Sequence, residues 1–274
     1  MTESYQFKDV TLTGGLTAVQ CEPREKTSKP PILFCHGWMS GAWQWKRLQP
    51  FMANHGYSSL AVNYRGHCGS APVKHLPNMK FQDYYNDAKT ALESLEDRSI
   101  VIGQSTGGLI SQKLAEAGLV SAAVLSCSVP PAGIEWKCAT TSIADLGRTS
   151  ESWRYGVMQP DRVDFDDLVY NCMPKDLADE TFTQQVPESG GILAQLFDQE
   201  VAVNEKRVTC PVFSVVTGAD RLVLPETGLA IAAKYNALSI VRPHAGHYGL
   251  IYEPGWEATA KLVVDWLDDL PRRA

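Results

Sequence analysis

The sequence predicts an α/β protein built on a doubly wound, mostly parallel sheet. Three observations carry this expectation. Short apolar runs bounded by turn residues recur along the chain: 17–22 (TAVQCE), 31–35 (PILFC), 58–63 (SSLAVN), 99–103 (SIVIG), 122–127 (AAVLSC), 211–217 (PVFSVVT) and 238–242 (LSIVR). Most are continuously apolar rather than alternating, the pattern of strands buried on both faces. Helix-like stretches at 43–55, 81–97, 107–117, 227–236 and 256–269 separate them, so strands and helices alternate as in βαβ units.

The last stretch, WEATAKLVVDWLDD, sets Trp256, Ala260, Val263, Val264 and Leu267 on one stripe, a face for the sheet. The alternation fails between 131 and 205. That segment is polar, rich in aromatics and acids, and helix-like only in patches. It reads as an insertion over a core formed by 1–130 and 206–274, near the carboxyl ends of the strands, where such sheets bind ligands. Gly190-Gly191 would loosen its later part, and Asp164, Asp166 and Asp167 read as solvated surface.

Composition narrows the function. With 274 residues and 44% hydrophobic content the chain can bury a large core. A net charge of −6 argues against nucleic acid, which needs a concentrated Lys/Arg surface. The start, MTESYQFKDV, has neither a basic end nor an apolar run, so no signal peptide is expected. No apolar run approaches the ~18 residues that span a bilayer. The seven cysteines form no CxxC pair, so no metal is expected, and a reducing cytoplasm fits them. Cys35, Cys127 and Cys210 sit in apolar runs as small hydrophobes.

Gly103-Gln104-Ser105-Thr106-Gly107 matches G-x-S-x-G between a strand-like run and a helix-like one. A sharp strand-to-helix turn exposes the serine hydroxyl, and small flanking residues avoid collision there. The plain alternative is a tight turn with a serine N-cap. A serine hydroxyl is a weak nucleophile and needs a base, itself oriented by an acid. Asp220 follows the run 211–217, at the correct edge of the sheet, though it could merely form an Asx turn. His244 and His247 both follow the run 238–242, and spacing does not choose between them. An oxyanion needs two N–H donors. Thr106, next to the serine, and Trp38, in His36-Gly37-Trp38 after PILFC, are the candidates. His36 reads as a loop-ordering residue.

With these residues in hand, the chain resembles the α/β-hydrolase superfamily from about residue 30 to 270, outside the insertion. The resemblance rests on HGW at 36–38, NYRGHCGS at 63–70, GQSTGG at 103–108, GAD at 218–220 and GHYGLIYEP at 246–254. It implies an eight-stranded, mostly parallel sheet flanked by helices, with a mainly helical cap at 131–205 after strand six. It also implies that the base is His247, which follows a glycine and precedes Glu253-Pro254, and that Asp220 is the acid after strand seven. One departure is Asn63, where many relatives carry aspartate; that position is usually structural. Cofactor-free ring-cleaving dioxygenases of this fold share such an asparagine but place their acid after strand six, where this chain has Ser126 and Cys127.

The expected function is a serine hydrolase that cleaves a small carboxylic ester, thioester or lactone without a cofactor. Ser105 is the nucleophile, His247 the base and Asp220 its orienting acid. Trp38, Trp136, Trp153, Tyr155 and Tyr248 are candidate substrate contacts and suggest an apolar or aromatic group. The expected partner is a small-molecule substrate, with no nucleic acid and no membrane span, and a homodimer is allowed. A dioxygenase, a lyase or a C–C bond hydrolase on the same fold is the alternative, ahead of a non-catalytic small-ligand receptor. An epoxide hydrolase or dehalogenase would need aspartate at 105.

Overall fold

The computed structural model describes residues 4–95, 99–139 and 151–271. Its centre is one eight-stranded sheet formed by β1 (Tyr5–Thr11), β2 (Thr17–Pro23), β3 (Ile32–Cys35), β4 (Ser59–Val62), β5 (Ile100–Gln104), β6 (Ala122–Ser126), β9 (Val212–Thr217) and β10 (Leu238–Arg242). The strand order is β1-β2-β4-β3-β5-β6-β9-β10. The first two strands pair antiparallel, as do β2 and β4, and every later pairing is parallel.

Every residue of β3, β5, β6 and β9 is buried, as continuous apolar runs demand. The edges differ. Strand β1 reads YQFKDVT and is mostly exposed. It carries no apolar run, and periodicity gives no sign of it. The opposite edge, β10, leaves Leu238 58% and Val241 48% exposed.

Helices α1 (Leu48–Asn54), α2 (Phe81–Glu93), α3 (Thr106–Glu116), α8 (Pro225–Lys234) and α9 (Trp256–Asp269) complete the core. The expected helix at 43–55 is a 3₁₀ turn, Ala42–Trp45, followed by α1. Helix α9 buries Ala260, Val263, Val264 and Leu267 as its stripe predicts, while Trp256 stays half-buried against Phe51. No helix among the described residues is long and apolar enough to cross a membrane.

Between β6 and β9 the chain forms short pieces: α4 (Glu151–Arg154), β7 (Val157–Met158), α5 (Arg162–Leu168), α6 (Lys175–Phe182), β8 (Glu188–Ser189) and α7 (Gly190–Phe197). β7 and β8 pair antiparallel. Gly190 and Gly191 fall in a helix. Both are buried in the first turn of α7, and a Cβ on Gly191 would stand 2.8 Å from the Pro77 carbonyl oxygen. Gly191 lets α7 approach the 76–79 turn.

A tighter approach sits under α3. A Cβ on Gly107 would lie 2.1 Å from the Cys35 carbonyl oxygen and 2.5 Å from that of His36. Only glycine seats α3 this close to the end of β3. Gly107→Ala should therefore destabilise the fold by about 1–3 kcal/mol or more, read as a lowered Tm. Ile102→Ala, in the fully buried centre of β5, should cost about 2–5 kcal/mol. Val163→Ala, on the exposed face of α5, should stay within about 0.5 kcal/mol of wild type in denaturant titration.

Candidate active site

Parallel register brings the carboxyl ends of the central strands together: Cys35 pairs with Gly103, and Gln104 with Ser126. The loops leaving β3, β5, β6, β9 and β10 therefore converge, as ligand-binding loops do in such sheets.

Ser105 stands between β5 and α3 with φ 56° and ψ −122°, in the left-handed region that side chains avoid. Its N–H donates to the Ser126 carbonyl at 3.0 Å, and its own carbonyl accepts from Val129 N–H at 3.0 Å and Gly108 N–H at 2.9 Å. These bonds hold the turn. Thr106 is the first residue of α3, so its N–H has no intrahelical acceptor.

Asp220 follows β9. Its Oδ1 accepts from Leu222 N–H at 2.9 Å and Val223 N–H at 3.0 Å, and its Oδ2 accepts from His247 Nδ1 at 2.8 Å. Oδ1 thus closes an Asx-type turn, while Oδ2 faces His247. Asp220 and His247 are buried, whereas His244 is exposed. Glu253 explains how the histidine loop keeps its shape: its carboxylate accepts from Gly246 N–H at 2.5 Å and Tyr248 N–H at 3.0 Å, straddling His247. Burial and the nearby Asp220 charge push its carboxyl above the ordinary range, against the lowering pull of those two amides.

Three buried amide contacts tie the two sides of the site together. Gly37 N–H donates to Gln44 Oε1 at 3.1 Å. Gln44 Nε2 donates to Gln104 Oε1 at 3.2 Å, and Gln104 Nε2 donates to the His247 carbonyl at 3.1 Å. Sequence reasoning missed both glutamines. The only signal was Gln104 inside the G-x-S-x-G motif.

His36 is a buried loop-ordering residue, as expected. Its Nδ1 lies 2.8 Å from the Gly37 carbonyl, its ring stacks on Tyr64, and burial with neighbouring His67 holds its pKa well below the ordinary value. Asn63 is structural: Oδ1 accepts from Ala42 N–H at 2.6 Å and Nδ2 donates to Thr17 Oγ1 at 3.0 Å.

A cavity opens above Ser105. Trp38, Thr106, Trp136, His247 and Tyr248 line it, together with Met158, Phe165, Val169, Leu193 and Leu222. Trp136 stacks on Phe197 and donates from Nε1 to the Leu222 carbonyl at 2.8 Å. Tyr155 does not reach the cavity, and 72% of its surface is exposed. Trp153 belongs to α4, but its side chain is outside the described residues. Asp164 corrects the solvated-surface expectation: it lines the cavity with Asp161, and burial, then the charges of Asp161 and Asp167, raise its pKa. Asp166 and Asp167 do face outward, paired with Arg162 and Arg221. Helical phase turns Asp166 about 200° away from Asp164, whereas Asp167, three residues on, is drawn outward by its ion pair with Arg221.

Ligand atoms of Cys127, Asp220 and His247 lie within 4.8 Å of one another. This donor set suits a metal poorly. Burial and the Asp220 charge push the Cys127 thiol well above its ordinary pKa, so it stays protonated beside Thr217 Oγ1 at 3.1 Å.

Comparison with known proteins bears on the fold. A non-heme haloperoxidase of Rhodococcus erythropolis is 38% identical over 105 residues, which is 37% of this chain and 38% of that protein. The chain thus aligns with well under half the length of the curated relatives it matches. Among solved structures, E-2-(acetamidomethylene)succinate hydrolase superposes with a TM-score of 0.70 at 21% identity, covering 96% of this chain and all of that one. The esterase RhEst1 of Rhodococcus sp. ECU1013 gives 0.69 at 17%, covering 97% and 99%. At such identities these two show the shared fold. The alpha/beta hydrolase family model matches residues 32–262, which include six of the eight strands and the convergent loops, and the chain belongs to that family.

Proposed function

We propose that the protein is a serine hydrolase that cleaves a carboxylic ester, thioester or lactone of a small, largely apolar molecule. The observation that carries this reading is the 2.8 Å bond between His247 Nδ1 and Asp220 Oδ2, beside a cavity that Ser105 and His247 line together. The bond to Asp220 commits Nδ1 as donor and leaves Nε2 as the basic nitrogen. Nε2 takes the Ser105 proton as Oγ attacks the carbonyl carbon. The oxyanion accepts from the N–H groups of Thr106 and Trp38, each donor being worth roughly 3 kcal/mol in the transition state. As the tetrahedral adduct collapses, His247 returns the proton to the leaving alkoxide or thiolate. Water, deprotonated by His247, then attacks the acyl-serine and releases the acid.

The segment 131–205 acts as the cap in this proposal, because Trp136, Met158, Phe165, Val169 and Leu193 supply much of the cavity wall. Their apolar surfaces favour an apolar or aromatic acyl or alcohol part. A cytoplasmic location, suggested by the cysteine pattern, belongs to the same proposal. The ring-cleaving alternative keeps its acid after β6, where Ser126 and a protonated Cys127 stand.

A panel of p-nitrophenyl esters from short to long acyl tests the reading. Wild type should turn over part of the panel, and Ser105→Ala should abolish that turnover. A folded wild type that cleaves none of them while consuming oxygen with an N-heteroaromatic substrate would overturn it. His247→Ala should remove turnover and His244→Ala should retain it; the reverse pattern would move the base to His244. Asp220→Asn should lower kcat by roughly 10⁴-fold, the size seen when a triad acid loses its charge.

A further inference from the structure

We propose that Glu188, a buried carboxylate of the inserted segment, is a positioning residue that sets the Trp38 N–H toward the oxyanion site. The inference rests on the hydrolase reading above. Glu188 lies in β8, far in sequence from the candidate triad, and is 1% exposed. Its Oε1 accepts from Tyr84 Oη at 2.6 Å and from Ser189 N–H at 2.7 Å. Its Oε2 faces His67 Nε2 at 3.0 Å and Met39 N–H at 3.3 Å. A buried carboxylate is costly unless its oxygens are satisfied, and here both are. Burial by itself would lower the His67 pKa, but the Glu188 charge and hydrogen bond raise it above the ordinary value, so His67 is held as a donor.

The contact with Met39 links this cluster to the reaction centre. Met39 immediately follows Trp38 and has φ 58°, a left-handed conformation that a side-chain-bearing residue adopts only at a cost. Such a residue persists where its surroundings over-determine it. Both of its backbone groups are held from the inserted segment: Met39 N–H by Glu188, and the Met39 carbonyl by Val186 N–H at 2.9 Å. On the other side of Trp38, Gly37 N–H is held by Gln44 at 3.1 Å. The backbone N–H groups on either side of Trp38 are thus already engaged, by Gln44 and by Glu188. Among the described residues, the Trp38 N–H between them has no acceptor. Trp38 itself lines the cavity beside Ser105.

Glu188→Gln is the informative substitution. Its NH₂ group faces the N–H of Met39 or that of Ser189; in the first orientation the Met39 contact turns repulsive, and in the second the Met39 N–H keeps only a neutral amide oxygen in place of the carboxylate, while the shape is kept. We expect kcat for p-nitrophenyl ester hydrolysis to fall about 10- to 100-fold, below the roughly 10²–10³ that a whole lost donor costs. KM should stay within about twofold, because ground-state binding does not use the oxyanion donor. Affinity for a boronic acid, which mimics the tetrahedral adduct, should fall in step with kcat. Amide exchange at Trp38 and Met39 should accelerate. Tyr84→Phe removes one of the four contacts and should lower kcat by a few fold; it serves if Glu188→Gln does not fold.

A folded Glu188→Gln with wild-type kcat, boronate affinity and Met39 exchange would overturn the proposal. So would a loss of kcat that only tracks the unfolded fraction. A wild type without Ser105-dependent turnover would instead overturn the hydrolase reading and the oxyanion role with it, and Met39 exchange would still decide whether Glu188 holds the loop.

Discussion

The turn from β5 into α3 is the constraint around which the rest of the molecule is arranged. Ser105 has φ 56°, and this conformation survives because both of its backbone groups are bonded, to Ser126, Val129 and Gly108. The helix that follows packs against the end of β3 through Gly107. One strained residue thereby fixes how three strand ends meet. The loops after β3, β9 and β10 inherit their positions from that meeting, and the Gln44–Gln104 contacts carry it from the Gly37 amide to the His247 carbonyl.

Buried carboxylates do the remaining positioning, each by accepting from backbone amides. Asp220 takes two amides on one oxygen and His247 on the other. Glu253 takes the amides on either side of His247. Glu188 takes those of Met39 and Ser189, with His67 and Tyr84. Charge-assisted bonds of this kind are short and directional, which suits groups that must hold a loop within a fraction of an ångström. Asp87 does the same for the loop after β4, accepting from the Arg65 backbone N–H at 2.8 Å and from its guanidinium. The polar interior is thus a set of separate clamps, each on a different loop.

Much of the core was legible. The runs at 31–35, 58–63, 99–103, 122–127 and 211–217 are strands to within a residue or so, because burial on both faces leaves an uninterrupted apolar signal. Strand β1 was not legible, since an edge strand of mostly exposed residues differs little from loop. Tyr155 looked like a cavity residue from its composition and neighbourhood, yet it points to solvent. Asp164 looked like surface among three acids, yet it lines the cavity. Both outcomes depend on the phase of short elements whose ends no periodicity defines.

The sequence by itself determined the sheet, the serine turn and the pair of loops that could carry a base and an acid. Local backbone demands write these into residue types: glycine where atoms crowd, small polar residues where a strand becomes a helix, apolar runs where both faces are buried. Only the tertiary structure decided which side chains between β6 and β9 reach the cavity and that Glu188 touches the loop after β3, and it sets against Asp220 the histidine that the resemblance implies, His247. Those contacts join residues 27 to 149 positions apart. They follow from how elements pack in space, and no local pattern along the chain encodes a partner that distant.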